Sequence, residues 1–229
     1  MKTIGLIGGI TWHSTLDYYR MLNERINHQL GGVHSAKIIL KSVDFEEIKR
    51  PTEKEDWDAI AVIIGKAAKD IEAAGADCVV ICANTMHNIA HKITGSFSVP
   101  LIHIADAVAE QIKEKKLKKV ALLGTKYTMQ MDFYRDKLAG HGILTIIPGK
   151  TDIEFINDTI YKEFGKGIFL PERKQEYLRI IDSLIGRGAE GIVLGCTEIP
   201  ILIRQNDCSV PVFDTAFIHA EAAAKFALS

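Results

Sequence analysis

The 229-residue sequence has almost no excess of charge of either sign: 28 Lys and Arg stand against 29 Asp and Glu, a net charge of −1. Binding to nucleic acid or to an anionic membrane needs a basic face, and this balance gives no reason to expect one. Long apolar runs are also lacking. The run at residues 1–9 ends at Gly8 and Gly9, too short for a signal-peptide core or a membrane span. The sequence therefore predicts neither a nucleic-acid nor a membrane partner.

Cysteine is scarce and does not occur in a framework spacing. The chain has four cysteines and no Cys-x-x-Cys pair, which is typical of reduced thiols in a cytoplasmic protein rather than of a disulfide scaffold or a redox site. His87 and His91 are one helical turn apart, but the Glu of a His-Glu-x-x-His motif is missing and no third ligand is indicated. We therefore predict no metal site.

A nucleotide-binding glycine motif is missing as well. Gly5, Gly8 and Gly9 follow the first predicted strand, but they do not have the Gly-x-Gly-x-x-Gly spacing, and only Asp44 follows the second predicted strand as an acidic residue. We predict no dinucleotide cofactor. What remains is 47% hydrophobic and 25% charged residues, a composition typical of a soluble globular protein of one or two domains with a sizeable core.

Two stretches of the chain match each other without a gap. Residues 75–85 read GADCVVICANT, and residues 188–198 read GAEGIVLGCTE. Each predicts the end of a helix, a buried strand and a polar tip. In this alignment Cys196 falls on Ala83, and Cys82 falls on Gly195. One copy thus has a thiol at the tip where the other has a methyl group.

Three further matches occur in the same order along the chain. Residues 118–125 resemble residues 2–9, residues 131–135 resemble 16–20, and residues 209–213 resemble 98–102. Four matches at nearly one offset predict an internal duplication. Residues 57–74 have apolar side chains at helical spacing and residues 84–93 also favour a helix, whereas the polar stretch 44–55, interrupted by Pro51, is predicted to be a loop.

Strands that alternate with helices predict an α/β fold with two similar lobes, each a parallel sheet flanked by helices. The predicted division is residues 1–102 plus 210–229 for the first lobe and residues 103–209 for the second. Ligands bind at the carboxyl ends of parallel strands. We therefore expect an active site in the cleft between the lobes, lined by the Gly8-Gly9 turn and by the tips near Ala83, Thr125 and Cys196.

Of the four cysteines, Cys196 is the candidate for chemistry. It follows a strand and precedes a helix, where backbone N–H groups are expected to lower its pKa. Cys78 and Cys208 are predicted to be packing residues. Because successive strand side chains point to opposite faces, Cys82 is expected to face away from whatever Ala83 faces.

These residues resemble a known family. The Gly-Gly turn after the first strand, the Asn-Thr-Met-His sequence at residues 84–87 and the Gly-Cys-Thr-Glu-Ile sequence at residues 195–199 are similar to the aspartate/glutamate racemases. The resemblance extends from Gly8 to Ala216. It implies an isomerase that acts on amino acids without a cofactor, and it suggests a homodimer.

The mechanism that the resemblance implies uses two acid/base residues, usually cysteines, on opposite sides of the substrate α-carbon. One removes the α-proton, the other donates a proton to the opposite face, and hydrogen bonds stabilise the enolate-like charge. By this analogy Cys196 acts on the L-enantiomer. The implied substrate contacts are Asn84, Thr85, Thr125 and Thr197, with Ile10 and Thr11 contributing backbone groups.

The sequence departs from the family at Ala83, where the first cysteine is expected and where some members have threonine. Alanine has no proton to exchange. Four interpretations stay open: a slow racemase biased toward L-substrates in which water or a hydroxyl reprotonates the far face; a pair restored by rotation of Cys82; a single-cysteine decarboxylase-like member; or an engineered variant. A small-carboxylate binding protein is the alternative from another class.

The preferred amino acid is only weakly indicated. A side-chain carboxylate would be bound by a cation, and Arg50, Lys126 and Lys166 lie in segments expected near the cleft, although each is also typical of a surface charge. Thr52 is a further candidate lining residue.

Overall fold

The computed structural model describes residues 1–229 and divides them into two compact units, Met1–His103 with His219–Ser229, and Ile104–Ile218. The helices and strands of the first unit are β1 (Ile4–Gly8), α1 (Trp12–Leu30), β2 (Ile38–Ser42), α2 (Phe45–Glu53), α3 (Trp57–Ala73), β3 (Cys78–Ile81), a 3₁₀ helix (Thr85–Ile89), α4 (Ala90–Ile93) and a 3₁₀ turn (Thr94–Ser96). Its sheet is parallel with the order β2-β1-β3. The side chains of β1 and β3 are buried throughout, as expected for parallel strands with both faces covered.

The second unit has a four-stranded parallel sheet of order β5-β4-β6-β7. Its elements are α5 (Ile104–Glu114), β4 (Lys119–Gly124), α6 (Lys126–Gln130), α7 (Asp132–Gly140), β5 (Leu144–Ile146), α8 (Lys150–Lys162), a 3₁₀ turn (Phe164–Lys166), α9 (Pro171–Gly186), β6 (Ile192–Gly195), α10 (Ile199–Leu202), a 3₁₀ turn (Gln205–Asp207), β7 (Val212–Asp214) and the start of α11 (Thr215–Leu228). The predicted α/β fold with two parallel sheets flanked by helices is confirmed. No helix combines the length and the hydrophobicity that crossing a bilayer requires.

The matching stretches 75–85 and 188–198 have matching structures. Gly75 and Gly188 end α3 and α9 in the left-handed region, with φ of 96° and 90°, a conformation that glycine adopts readily. The acidic residue two positions later has the same role in each copy. Asp77 accepts a hydrogen bond from the Thr3 amide at 2.6 Å, and Glu190 accepts one from the Lys119 amide at 2.9 Å. The repeated Gly-Ala-acid sequence therefore fastens each strand to the start of its neighbour.

Two sequence predictions differ from the structure. Residues 44–55 contain helix α2, not a loop: Asp44 caps it by accepting from the Glu46 amide, and Pro51 lies inside the helix. The segment from residue 210 does not join the first unit at once. Strand β7 pairs with β6 of the second unit, and the chain rejoins the first unit at His219.

Residues 99–102, which match the part of the chain that contains β7, form only a single parallel bridge, between Val79 and Leu101. Backbone bonds from Val79 N–H to the Pro100 carbonyl and from Ile102 N–H to the Val79 carbonyl, both 2.9 Å, hold it there. The segment thus runs along β3 and places Ile102 and His103 beside that strand.

Candidate active site

In the second unit, the ends of β4 and β6 present two predicted site residues at one edge of the sheet. Gly124 lies opposite Gly195 in the parallel register, so Thr125 and Cys196, the next residue of each strand, emerge side by side. Thr125 caps α6, and its hydroxyl accepts a hydrogen bond from the Thr128 amide at 3.3 Å.

Cys196 is 8% exposed and lies next to a carboxylate. Its Sγ donates to Glu198 Oε2 at 2.9 Å, and the Thr197 hydroxyl donates to the same oxygen at 2.7 Å. One carboxylate oxygen therefore accepts two hydrogen bonds, and the thiol proton points at a group that can take it. Glu198 belongs to the same Gly-Cys-Thr-Glu-Ile sequence, but no catalytic or binding role was predicted for it.

The prediction that backbone N–H groups give Cys196 a low pKa is wrong. Burial raises the pKa of the thiol well above its ordinary value, and the charge of Glu198 raises it further. Hydrogen bonds from the Glu198 and Ile199 amides act in the predicted direction, but they are outweighed. A thiolate at this place would be desolvated and close to a like charge. Cys196 therefore rests as a neutral thiol.

In the first unit, the corresponding edge is formed by the ends of β1 and β3. Gly9 has φ of 86°, and a Cβ there would collide with the Val43 carbonyl oxygen, so the turn requires glycine. Ile10 is buried, Thr11 is half-buried and precedes α1, and the peptide bond between them is cis. The turn is held by the Thr15 hydroxyl, which accepts from the Gly9 amide at 2.8 Å.

The tip after β3 places Cys82 and Ala83 differently. Cys82 is fully buried, burial raises the pKa of its thiol, and its carbonyl accepts from the Ser14 hydroxyl at 2.8 Å. Ala83 is half-buried, and Asn84 and Thr85 are buried at the start of the 3₁₀ helix. Ala83 is therefore the more accessible of the two positions. A thiol pair built from Cys82 would require the backbone of the tip to rotate.

Three histidines lie in the first unit beside this tip. They are His87, His103 and His219, with 1%, 9% and 0% of the residue exposed. His87 contacts the other two rings, with centroids 4.7 Å and 5.3 Å away. His87 belongs to the Asn-Thr-Met-His sequence, but its contacts with His103 and His219 could not be predicted, because the three residues come from separate parts of the chain.

The Asp/Glu/Hydantoin racemase family matches residues 7–223. The chain belongs to this family. A crystal structure from Yersinia pestis, of a candidate Asp/Glu racemase, is 50% identical with a TM-score of 0.95 and covers 100% of both chains. An aspartate racemase homologue from Pyrococcus horikoshii OT3 is 37% identical with a TM-score of 0.86, again over 100% of both chains. The broad specificity amino-acid racemase RacX of Bacillus subtilis (strain 168) is 26% identical over 164 residues, 70% of this chain and 69% of its own.

These relationships confirm the predicted racemase family and the class of enzyme, since racemases are isomerases.

The structure also places the candidate lining residue and the three candidate cations for a side-chain carboxylate. Thr52 is buried in α2, and its hydroxyl donates to the Ile48 carbonyl at 2.7 Å. Arg50 pairs with Glu46 at 3.0 Å on the surface. Lys126 and Lys166 are exposed, the former with its ammonium 4.7 Å from the centre of the Tyr127 ring.

No group of three or more His, Cys, Asp or Glu side chains is arranged to hold a metal ion. His91, the partner of His87 in the i, i+4 pair, is exposed in α4. His87 is buried, and its Nδ1 lies 2.9 Å from the Ala83 carbonyl oxygen. The two side chains therefore lie in different environments.

Proposed function

We propose that this protein is a cofactor-independent racemase of acidic amino acids in which Cys196 removes the α-proton of the L-enantiomer. The observation that carries the proposal is the Cys196 thiol at the carboxyl end of β6, hydrogen-bonded to Glu198 at 2.9 Å. Asn84, Thr85, Thr125 and Thr197, with the backbone of Ile10 and Thr11, are the proposed substrate contacts, and Thr52 is retained as a lining residue.

The neutral resting state of Cys196 sets the order of events. The thiol must lose its proton before it can act as a base, and Glu198 is placed to accept it. An amino-acid substrate brings an α-ammonium group, whose positive charge favours the thiolate. The thiolate then takes the α-proton, and the electrons of the broken C–H bond move into the α-carboxylate to give an enolate-like anion. Hydrogen-bond donors around that carboxylate lower the barrier to this step.

Ala83 supports the second half of the proposal. Its methyl group has no proton to give, and burial withdraws the thiol of the adjacent Cys82. Reprotonation on the face opposite Cys196 therefore depends on water or a hydroxyl group, and return of the proton by Cys196 to the original face is faster. The enzyme is expected to exchange the α-proton of L-substrates more rapidly than it forms D-product.

The test is proton NMR of L-aspartate and L-glutamate, separately, in D₂O with dialysed, chelator-treated protein, followed by chiral analysis. We expect loss of the α-proton signal with less D-product than exchange. Cys196→Ser should abolish exchange, whereas Cys208→Ser, a half-buried cysteine outside the proposed site, should not. Ala83→Cys should raise the fraction of D-product. No exchange with either acid, or full exchange in Cys196→Ser, would overturn the proposal.

The single thiol also favours a second candidate, decarboxylation of a malonate-like acid, because that reaction needs one proton donor and no partner on the other face. Cleavage of a carbon–carbon bond would release CO₂ and leave a carbanion that Cys196 protonates. Incubation with substituted malonates and detection of CO₂ distinguish the two. The expected homodimer belongs to the primary proposal and is tested by sedimentation velocity.

A further inference from the structure

The histidine cluster of the first unit buries polar side chains at a cost that hydrogen bonds must offset. His219 Nε2 lies 2.7 Å from the Ile102 carbonyl oxygen, and its Nδ1 lies 2.8 Å from the Tyr18 hydroxyl. A carbonyl oxygen only accepts, so Nε2 carries the proton and donates it, and Nδ1 accepts from Tyr18. The tautomer of His219 is thereby fixed.

His87 has the opposite tautomer for the same reason. Its Nδ1 lies 2.9 Å from the Ala83 carbonyl oxygen, so Nδ1 carries the proton and donates it. The ring is held edge-on by the rings of His103 and His219, with interplanar angles of 69° and 70°. His87 therefore donates a hydrogen bond to the backbone of the tip, and its ring is held in place by the rings of His103 and His219.

The hydrogen bond from His87 to the Ala83 carbonyl determines the direction of one peptide group. The Ala83–Asn84 peptide is planar and trans, so its N–H points away from its C=O. With the carbonyl directed at His87, the Asn84 N–H is directed to the opposite side. The rest of the tip is also tied: the Ala83 amide donates to the Ile81 carbonyl at 2.8 Å, and the His87 amide donates to the Asn84 carbonyl at 3.0 Å.

We propose that His87 is a positioning residue, whose Nδ1–H holds the Ala83–Asn84 peptide so that the Asn84 backbone amide faces the α-carboxylate of the substrate. This inference rests on the proposed racemase function. It assigns to His87 no contact with the reacting atoms. His103 and His219 pack edge-on against the ring, so the tip is held in place before substrate binds, as transition-state stabilisation by hydrogen bonds requires.

The test compares His87→Asn with His87→Gln. The amide nitrogen of asparagine falls near the place of Nδ1, whereas that of glutamine falls near Nε2, so only the first variant keeps the donor to the Ala83 carbonyl. We expect kcat for α-proton exchange within about threefold of the original in His87→Asn and about tenfold or more lower in His87→Gln, the loss corresponding to one misplaced hydrogen bond. The pH profile should keep its shape in both.

A second readout does not depend on turnover. In ¹⁵N–¹H spectra without substrate, the Asn84 amide resonance should move more in His87→Gln than in His87→Asn, and thermal melting shows whether both variants are folded. Equal exchange rates in the two variants, or a lost limb of the pH profile, would overturn the positioning role. Absence of exchange in the unmodified protein would instead refute the racemase proposal. An Asn84 resonance that moves in neither variant would refute the hydrogen bond from His87 to the Ala83 carbonyl.

Discussion

The buried imidazole of His219 makes the stability of the protein depend on pH. The side chain is fully buried, and burial, with a smaller effect of the nearby His87, lowers its pKa from 6.5 to about 3. The groups that face it are the His87 ring, the Tyr18 hydroxyl and the Ile102 carbonyl. None of them is a carboxylate that would stabilise the imidazolium.

The sign follows from the two pKa values. Between pH 6.5 and about 3 the unfolded chain binds a proton at residue 219 that the folded protein does not, so the free energy of unfolding falls as the pH falls. The slope is about 1.4 kcal/mol per pH unit once the unfolded state is fully protonated. Lowering the pH from about 7.5 to about 5 therefore removes about 2 kcal/mol through this one group.

The measurement is urea unfolding, followed by circular dichroism at each pH, of the unmodified protein and of His219→Gln. Glutamine does not titrate and keeps an N–H near the Ile102 carbonyl. The variant is expected to be less stable near neutral pH but to lose about 2 kcal/mol less than the original between the two pH values. His34→Gln, at an exposed position, is the matched control. Equal losses in the original protein and in His219→Gln would refute the reasoning.

Two further predictions concern buried polar groups. The Tyr134 hydroxyl is buried without a hydrogen-bond partner, so Tyr134→Phe should leave the melting temperature unchanged or raise it. Tyr18→Phe removes the donor to His219 Nδ1 and should lower the free energy of unfolding by about 1–3 kcal/mol. A larger loss in Tyr134→Phe than in Tyr18→Phe would contradict this. Glu198→Gln removes the negative charge beside the Cys196 thiol, so alkylation of Cys196 near neutral pH, measured by mass spectrometry, should become faster. An unchanged rate would show that burial alone raises the pKa of this thiol.

The strands and the duplication could be predicted from the sequence because both are local signals. Buried parallel strands read as short apolar runs, and the Gly-Ala-acid sequence before β3 and β6 makes the same contacts in each copy. Helix α2 was missed because Pro51 and its polar composition favour a loop. Its amphipathic character only becomes clear once Ile48 and Thr52 are seen to be buried on one side.

The sequence predicted which strands Cys196 and Ala83 follow, but it did not predict the electrostatics around the Cys196 thiol. The repeat placed Cys196 and Ala83 at equivalent tips, and the structure puts both after the expected strands. The rule that helix N-termini lower a cysteine pKa gave the wrong sign, because it counts the nearby amides and omits burial and the Glu198 charge. The histidine cluster was out of reach, since the contact between Ile102 and His219 joins residues 117 positions apart.

The prediction that the chain returns to the first lobe at residue 210 does not agree with the duplication from which it was drawn. The match between residues 98–102 and 209–213 sets Phe213 on Ile102. A boundary after Ile102 therefore requires the second boundary after Phe213, not before Val210. The structure agrees with this corollary to within a few residues: β7 stays with β6, and α11 passes to the first unit at His219.

The same alignment explains why Tyr18 has a hydrogen-bond partner and Tyr134 has none. Extending the match of residues 118–125 with residues 2–9 without a gap sets Tyr134 on Tyr18, whereas the match of residues 131–135 with 16–20 sets it on Tyr19. Burial selects Tyr18, because Tyr18 and Tyr134 are both fully buried and Tyr19 is exposed. Setting Phe213 on Ile102 places His219 on Val108, which lies in the same buried cluster as Tyr134. The first unit thus has an imidazole where the second has an isopropyl group. Valine cannot accept a hydrogen bond, so the Tyr134 hydroxyl lacks the pairing that Tyr18 makes with His219. The first unit therefore has a hydrogen-bonded imidazole in its core, where His219 packs against His87, whereas the corresponding core of the second unit is apolar around Tyr134.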